Sequence, residues 1–130
     1  TIPTNTITTT SATTVAVPTT ATTPSSTVST GDKVLTLDPS SVSAGNERWV
    51  AYFFTASITS NYKWVDLDSN NSVTVPSGMD TVIFVRMNGK TTENTWDNRW
   101  NQSDDLTIGS STKYVATGWG SGNLFTGNWA

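Results

Sequence analysis

The residues with the clearest chemical potential are aromatic. Six tryptophans and three tyrosines (Trp49, Trp64, Trp96, Trp100, Trp119, Trp129, Tyr52, Tyr62 and Tyr114) all fall between residues 49 and 129. A small β-sheet core uses one or two large rings, so a surplus is left for other work. Indole and phenol faces are apolar and carry the negative side of the ring quadrupole. The axial C–H face of a sugar lies flat on such a ring, and the equatorial hydroxyls want planar amide or carboxylate partners. Aromatic and amide residues occur together in Trp96-Asp97-Asn98-Arg99-Trp100-Asn101-Gln102, which is the composition of a glycan-binding surface.

Strand alternation sorts the rings. On Arg48–Phe54, Trp49, Ala51 and Phe53 share one face, while Val50, Tyr52 and Phe54 share the other. With the Trp49 face as core, Tyr52 looks outward. On the next strand Tyr62 and Trp64 share a face, so Tyr52 and Trp64 are expected to form a small platform. Phe84 and Phe125 are expected in the core. Trp96 and Trp100 lie four apart, and one helical turn over Asn94–Asn101 would put both indoles on one side. They serve either as a second platform or as pins that fold a long loop inward. The sequence leaves Trp119, between Gly118 and Gly120, open.

Other chemistries find little support. With no cysteine and no histidine, the chain lacks disulfides, thiolate metal sites and the commonest general base and metal ligand. Asp66-Leu67-Asp68-Ser69-Asn70 imitates the start of an EF-hand loop. The glycine expected at its sixth position is Asn71 and the glutamate at its twelfth is Ser77, so a turn is the better reading. Asn70-Asn71-Ser72 and Asn101-Gln102-Ser103 match the short N-glycosylation pattern. A two-carboxylate glycosidase would have to draw on Asp66, Asp68, Glu93, Asp97, Asp104 and Asp105, and would need a deep cleft. The expectation is a non-enzymatic protein with no cofactor and no metal. The seven lysines and arginines are scattered singly over a net charge of −3, so the basic stripe of a nucleic-acid binder is missing. No apolar run reaches the ~20 residues of a membrane span.

These residues need a scaffold, and the chain divides in two to supply it. Residues 1–31 carry no charge and are mostly threonine, serine and proline. Such a stretch buries too little apolar area to offset its chain entropy and reads as an extended linker, of a kind often O-glycosylated in secreted proteins. Two parts of it, Thr6–Thr10 and Thr13–Val17, have the composition to add as strands to a sheet edge. Residues 32–130 have globular composition. Strand signals recur at Lys33–Leu37, Arg48–Phe54, Tyr62–Leu67, Ser72–Val75, Thr81–Met87, Leu106–Ile108, Lys113–Ala116 and Asn123–Trp129, with turn residues between them. The nearly continuous apolar run Thr81–Met87 is expected to be central. The fold expected is an all-β antiparallel sandwich of seven or eight strands, with Asn88–Asp105 as one long functional loop.

The order Trp49-Val50-Ala51-Tyr52-Phe53-Phe54, then Trp64-Val65-Asp66, then Val82–Asn88, then Glu93-Asn94 through Gln102, resembles starch-binding modules of gut and rumen bacterial amylases and surface proteins. The closest resemblance is to carbohydrate-binding module family 26, and it covers roughly residues 33–130. It implies a non-catalytic β-sandwich that binds α-1,4-glucans. By position it implies contacts from Tyr52, Phe54 and Trp64, with Gln102 a looser match. Phe54 stands where the family has tyrosine, and the Trp96–Trp100 loop lies outside the family pattern.

The function expected is polysaccharide binding, with α-glucan favoured, outside the cell or at its surface. Tyr52, Phe54, Trp64, Trp96 and Trp100 supply the rings; Asn98, Asn101, Gln102 and Asp66 orient hydroxyls. The alternative is a subunit of an extracellular fibre or adhesin, with residues 1–31 donated as a strand to a neighbouring module or identical subunit.

Overall fold

A computed structural model describes residues 33–130. The 1–31 segment, whether linker or donated strand, lies outside the described residues. Nine strands follow in order: β1 (Val34–Asp38), β2 (Glu47–Thr55), β3 (Ile58–Asp66), β4 (Ser72–Thr74), β5 (Thr81–Asn88), β6 (Arg99–Gln102), β7 (Leu106–Thr107), β8 (Lys113–Trp119) and β9 (Phe125–Trp129). Single 3-10 turns occur at Ser40–Val42 and Trp96–Asn98. Among the described residues no helix is long and apolar enough to cross a membrane.

The strands form two sheets. One has the order β9-β8-β1-β4. The other has the order β3-β2-β5-β6, with β7 also paired to β5. Leu35, Leu37, Tyr114, Ala116 and Phe125 of the first sheet meet Ala51, Phe53, Val82 and Phe84 of the second in one buried core. The all-β, sandwich-like expectation holds at this level. Two details differ. Strand β1 runs parallel to β8, through Thr36↔Lys113, Leu37↔Tyr114 and Asp38↔Val115, so the sheets are not wholly antiparallel. The strands number nine because Arg-Trp-Asn-Gln at 99–102 pairs with β5. Three of those four residues are polar, and they show neither the alternation nor the β-branched composition that marks a strand in sequence.

Strand β5 is central, as its apolar run predicts: Thr81 through Met87 are all buried. Its pairing with β2 sets the faces. Ala51↔Phe84 and Phe53↔Val82 point to the shared core, while Val50↔Val85 and Tyr52↔Ile83 point away from it. The outward face is nonetheless apolar. Val50, Phe54, Ile83, Val85 and Met87 form a second buried cluster, with Tyr52 and Trp64 packed against it. This sheet therefore needs cover on both sides, and that need organises the rest of the molecule.

At one end of the sandwich a charged pair replaces apolar packing. Arg86, opposite Trp49 in the register, points between the sheets. Its Nη2 lies 3.1 Å from Glu47 Oε1, with the two side chains only 11% and 6% exposed. Its Nη1 donates to Asn101 Oδ1 at 3.0 Å. Burial pushes the Glu47 carboxyl up. Hydrogen bonds from the backbone N–H groups of Ala44 and Gly45 and from Arg86 outweigh this, holding it below the usual 4.5. Hydrogen bonds from the Ala56 N–H and the Thr81 hydroxyl hold Asp80 below its usual 3.8.

Two predictions follow from these contacts. A Cβ on Gly127 would stand 2.6 Å from Tyr114 Cε2 and from the Val115 carbonyl oxygen. Gly127→Ala should therefore destabilise the fold by roughly 1–3 kcal/mol in chemical denaturation, whereas Gly109→Ala, with open space around it, should not. Carboxyls depressed in the folded state add stability that is present above their unfolded values and lost as pH falls through the folded ones. The melting temperature should thus stay flat down to about pH 5 and fall below about pH 4. Glu47→Gln should make that decline shallower at the cost of lower stability at neutral pH.

Candidate functional site

Four rings converge on the outward face of the five-stranded sheet. The register sets Tyr52 opposite Trp64 and Phe54 opposite Tyr62, so β2 and β3 present adjacent aromatics on one side. A register shift between Phe54 and Thr55 bulges β3 just before Tyr62. Such bulges re-aim side chains. Tyr52 and Trp64 have ring centroids 4.7 Å apart, and Tyr52 stacks on Tyr62 at 5.5 Å with planes 24° apart. Trp96 then comes down from the long loop, 4.8 Å from Tyr52 and 4.7 Å from Trp64. Pairs of this geometry add about 0.5–1.5 kcal/mol each beyond area burial. The rings do not bury one another: Tyr62 is 54% exposed and Trp96 37%. With Asn94 and Thr95 they line an open groove of about 450 Å³.

Arg48 holds the loop in place. From the start of β2 its guanidinium donates to Asn94 Oδ1 at 2.6 Å, to the Glu93 carbonyl at 2.7 Å and to Thr91 Oγ1 at 3.4 Å. Asn94 Nδ2 in turn donates to Asp66 Oδ1 at 2.7 Å, and Asp66 lies 3.6 Å from Arg48. Asn98 Nδ2 closes the loop on itself through the Glu93 carbonyl at 2.9 Å. The Arg99 guanidinium lies 5.5 Å from the Trp96 ring centroid, a cation–π contact. Trp96 thus contacts Tyr52, Trp64 and Arg99.

The residues singled out in the sequence divide accordingly. Tyr52, Trp64 and Trp96 come together in the groove, merging two platforms that the sequence treats as separate. The helical turn expected over Asn94–Asn101 is instead a 3-10 turn at Trp96–Asn98 followed by strand β6. Trp100 consequently leaves its partner: it packs against Arg86, whose guanidinium lies 5.0 Å from its centroid. Asn101 accepts from Arg86 as well. Gln102 accepts from Arg99 Nη1 and reaches the cluster only through that arginine. Phe54 is buried, 8% exposed, beneath Tyr52. Tyr62, Asn94 and Thr95 line the groove but are not among the expected contacts. Alternation with Trp64 already marks Tyr62; nothing local marks Asn94, which is placed by a contact 46 residues away.

The site carries little titratable chemistry. Among the described residues no carboxylate lines the groove. Burial, with neighbouring Tyr62 adding to it, raises the Tyr52 phenol above its ordinary 10, so the ring stays neutral at physiological pH. Among the described residues no three His, Cys, Asp or Glu side chains come together. The calcium-loop imitation is a turn: Asp68 Oδ1 accepts from the N–H groups of Asn70 and Ser72, and Asn71 takes a left-handed φ of 58°. A second hollow, of about 510 Å³, opens between edge strands β3 and β4. It is lined by Val34, Lys63, Val65 and Val73 among others, and has no aromatic ring.

If Arg48 is the clamp, Arg48→Met should strip amide-exchange protection from residues 88–98 at least tenfold and red-shift tryptophan emission. Protection on β5 should change far less. Unchanged exchange in the loop would show that Trp96 packing alone holds it. The chain matches no protein-family model, no curated protein and no solved structure.

Proposed function

We propose that this chain is a non-catalytic polysaccharide-binding module of an extracellular or cell-surface protein, and that its ligand is an α-glucan such as starch or a maltooligosaccharide. The observation that carries the reading is the cluster of Tyr52, Tyr62, Trp64 and Trp96, packed and anchored yet open to solvent along a groove. Sugar rings stack on the exposed aromatic faces. The Asn94 and Thr95 side chains bond hydroxyls, with Asn94 held in place by Asp66.

Ring angles favour the α-linkage. Trp64 and Trp96 are inclined to Tyr52 by 64° and 57°, and to each other by 61°. A flat β-1,4-glucan ribbon stacks best on rings that share a plane. A curved α-1,4-glucan follows rings set at angles. The reading as a starch-binding module like those of family 26 rests on this geometry and on the sequence resemblance; Phe54, beneath Tyr52, supports the site from below.

Intrinsic tryptophan fluorescence of the chain should change saturably with maltoheptaose and not with cellohexaose. Tyr62 is 54% exposed, and Tyr52 is its ring–ring partner among the described residues. Tyr62→Ala should therefore lower affinity severalfold while costing about 1 kcal/mol of stability or less. Trp64→Ala should abolish measurable binding. A response to cellohexaose alone would move the ligand class to β-glucans. No response to either sugar would remove the proposal.

A further inference from the structure

Trp119 is the other conspicuous ring, and the backbone is distorted to place it. Tyr114 and Ala116 of β8 point into the core, so regular alternation would bring Gly118 to that side next. The pairing runs Gly127↔Ala116, Thr126↔Gly118 and Phe125↔Trp119, leaving Thr117 as an extra residue. The bulge shifts the alternation by one and puts Trp119 on the same side as Phe125. There, at the end of the sandwich, Arg86 lies over the Trp119 ring at 5.4 Å as well as over Trp100. Arg86 is itself fixed by Glu47 and Asn101, so the indole has a rigid backing. It is still 54% exposed, as exposed as Tyr62 in the groove.

The surroundings suit a sugar better than a protein. Its neighbours along the chain are Gly118, Gly120, Ser121, Gly122 and Asn123, and the other ring that shares Arg86 with it is Trp100. A protein interface core needs a contiguous apolar patch, which two indoles parted by a guanidinium and followed by glycine and polar residues do not supply. A pyranose face needs one flat ring and nearby hydrogen-bond groups. Asn123 is exposed, and Asn101, whose Oδ1 is engaged by Arg86, keeps its Nδ2 amide for donation.

We propose that Trp119, backed by Arg86 and edged by Asn101 and Asn123, is a second glycan-binding site on this module, taking one or two pyranose units of the same glucan. It rests on the polysaccharide-binding reading, but it uses none of the groove residues. Two sites on one domain raise affinity for long chains through effective concentration and leave short oligosaccharides weakly bound.

The test is a maltoheptaose titration of the ¹⁵N-labelled full chain, following the indole N–H signals assigned by single Trp→Phe variants. Two groups of signals should shift saturably with separate midpoints: Trp64 with Trp96, and Trp119 with Trp100. Trp49 and Trp129 should stay still. In Trp64→Ala the Trp119 shift should persist with its midpoint changed less than twofold. Shifts of Trp64 and Trp96 alone would overturn the second site and leave the first standing. Shifts of Trp119 alone would support the second site and remove the first. No shift in any signal would overturn both.

Discussion

The structure depends on one constraint: the β2–β5 pair is apolar on both faces. Ala51, Phe53, Val82 and Phe84 supply the inner face that the other sheet covers. Val50, Phe54, Ile83, Val85 and Met87 supply an outer face that no sheet covers. A buried side chain of this size contributes about 1.5–3 kcal/mol, so leaving five of them wet would cost much of a small domain's stability. The rings of Tyr52 and Trp64 pack on that face, and Trp96, from the loop before β6, packs on both of them. The aromatic groove is therefore the upper surface of a layer that the fold already requires. Its rings are packed from below, so a ligand of the proposed kind would meet a surface that is already ordered.

Arginine fixes the rings in both places where they are exposed. Arg48 ties the loop that carries Trp96, Arg99 lies over Trp96, and Arg86 lies over Trp100 and Trp119. The planar guanidinium suits this role, since it can stack on a ring while its edge donates to carboxylates and amides. Two of the three are neutralised locally, Arg86 by Glu47 and Arg48 by Asp66. The buried Arg86–Glu47 pair is the riskier arrangement, because removing either partner strands a charge.

Much of this was legible in the sequence, for reasons tied to particular residues. Period-two alternation placed Tyr52 and Trp64 on one face and Trp49, Ala51 and Phe53 on the other, and the apolar run at 81–87 marked the central strand. Alternation carries no information about a segment such as Arg99–Gln102, whose side chains are mostly polar and whose strand character comes from pairing with β5. That omission also misdirected Trp100, since a strand sends it to the opposite side from where a helical turn would. Phe54 shows the opposite limit. It points outward as the alternation expects, but outward does not mean exposed where neighbouring rings of the same face, Tyr52 and Trp64, pack over the apolar cluster. Asn94, Arg99 and the Trp119 bulge are set by long-range contacts, which spacing along the chain cannot reveal.

The most direct test of the central claim, that the covered outer face serves as a binding platform, is a crystal structure of the chain with maltoheptaose. The account predicts glucose rings stacked about 4 Å from the Tyr62, Trp64 or Trp96 faces, with the loop at 88–98 in the conformation described. A saturated crystal with sugar elsewhere and the groove empty would contradict it, and would leave these rings as cover for the sheet alone.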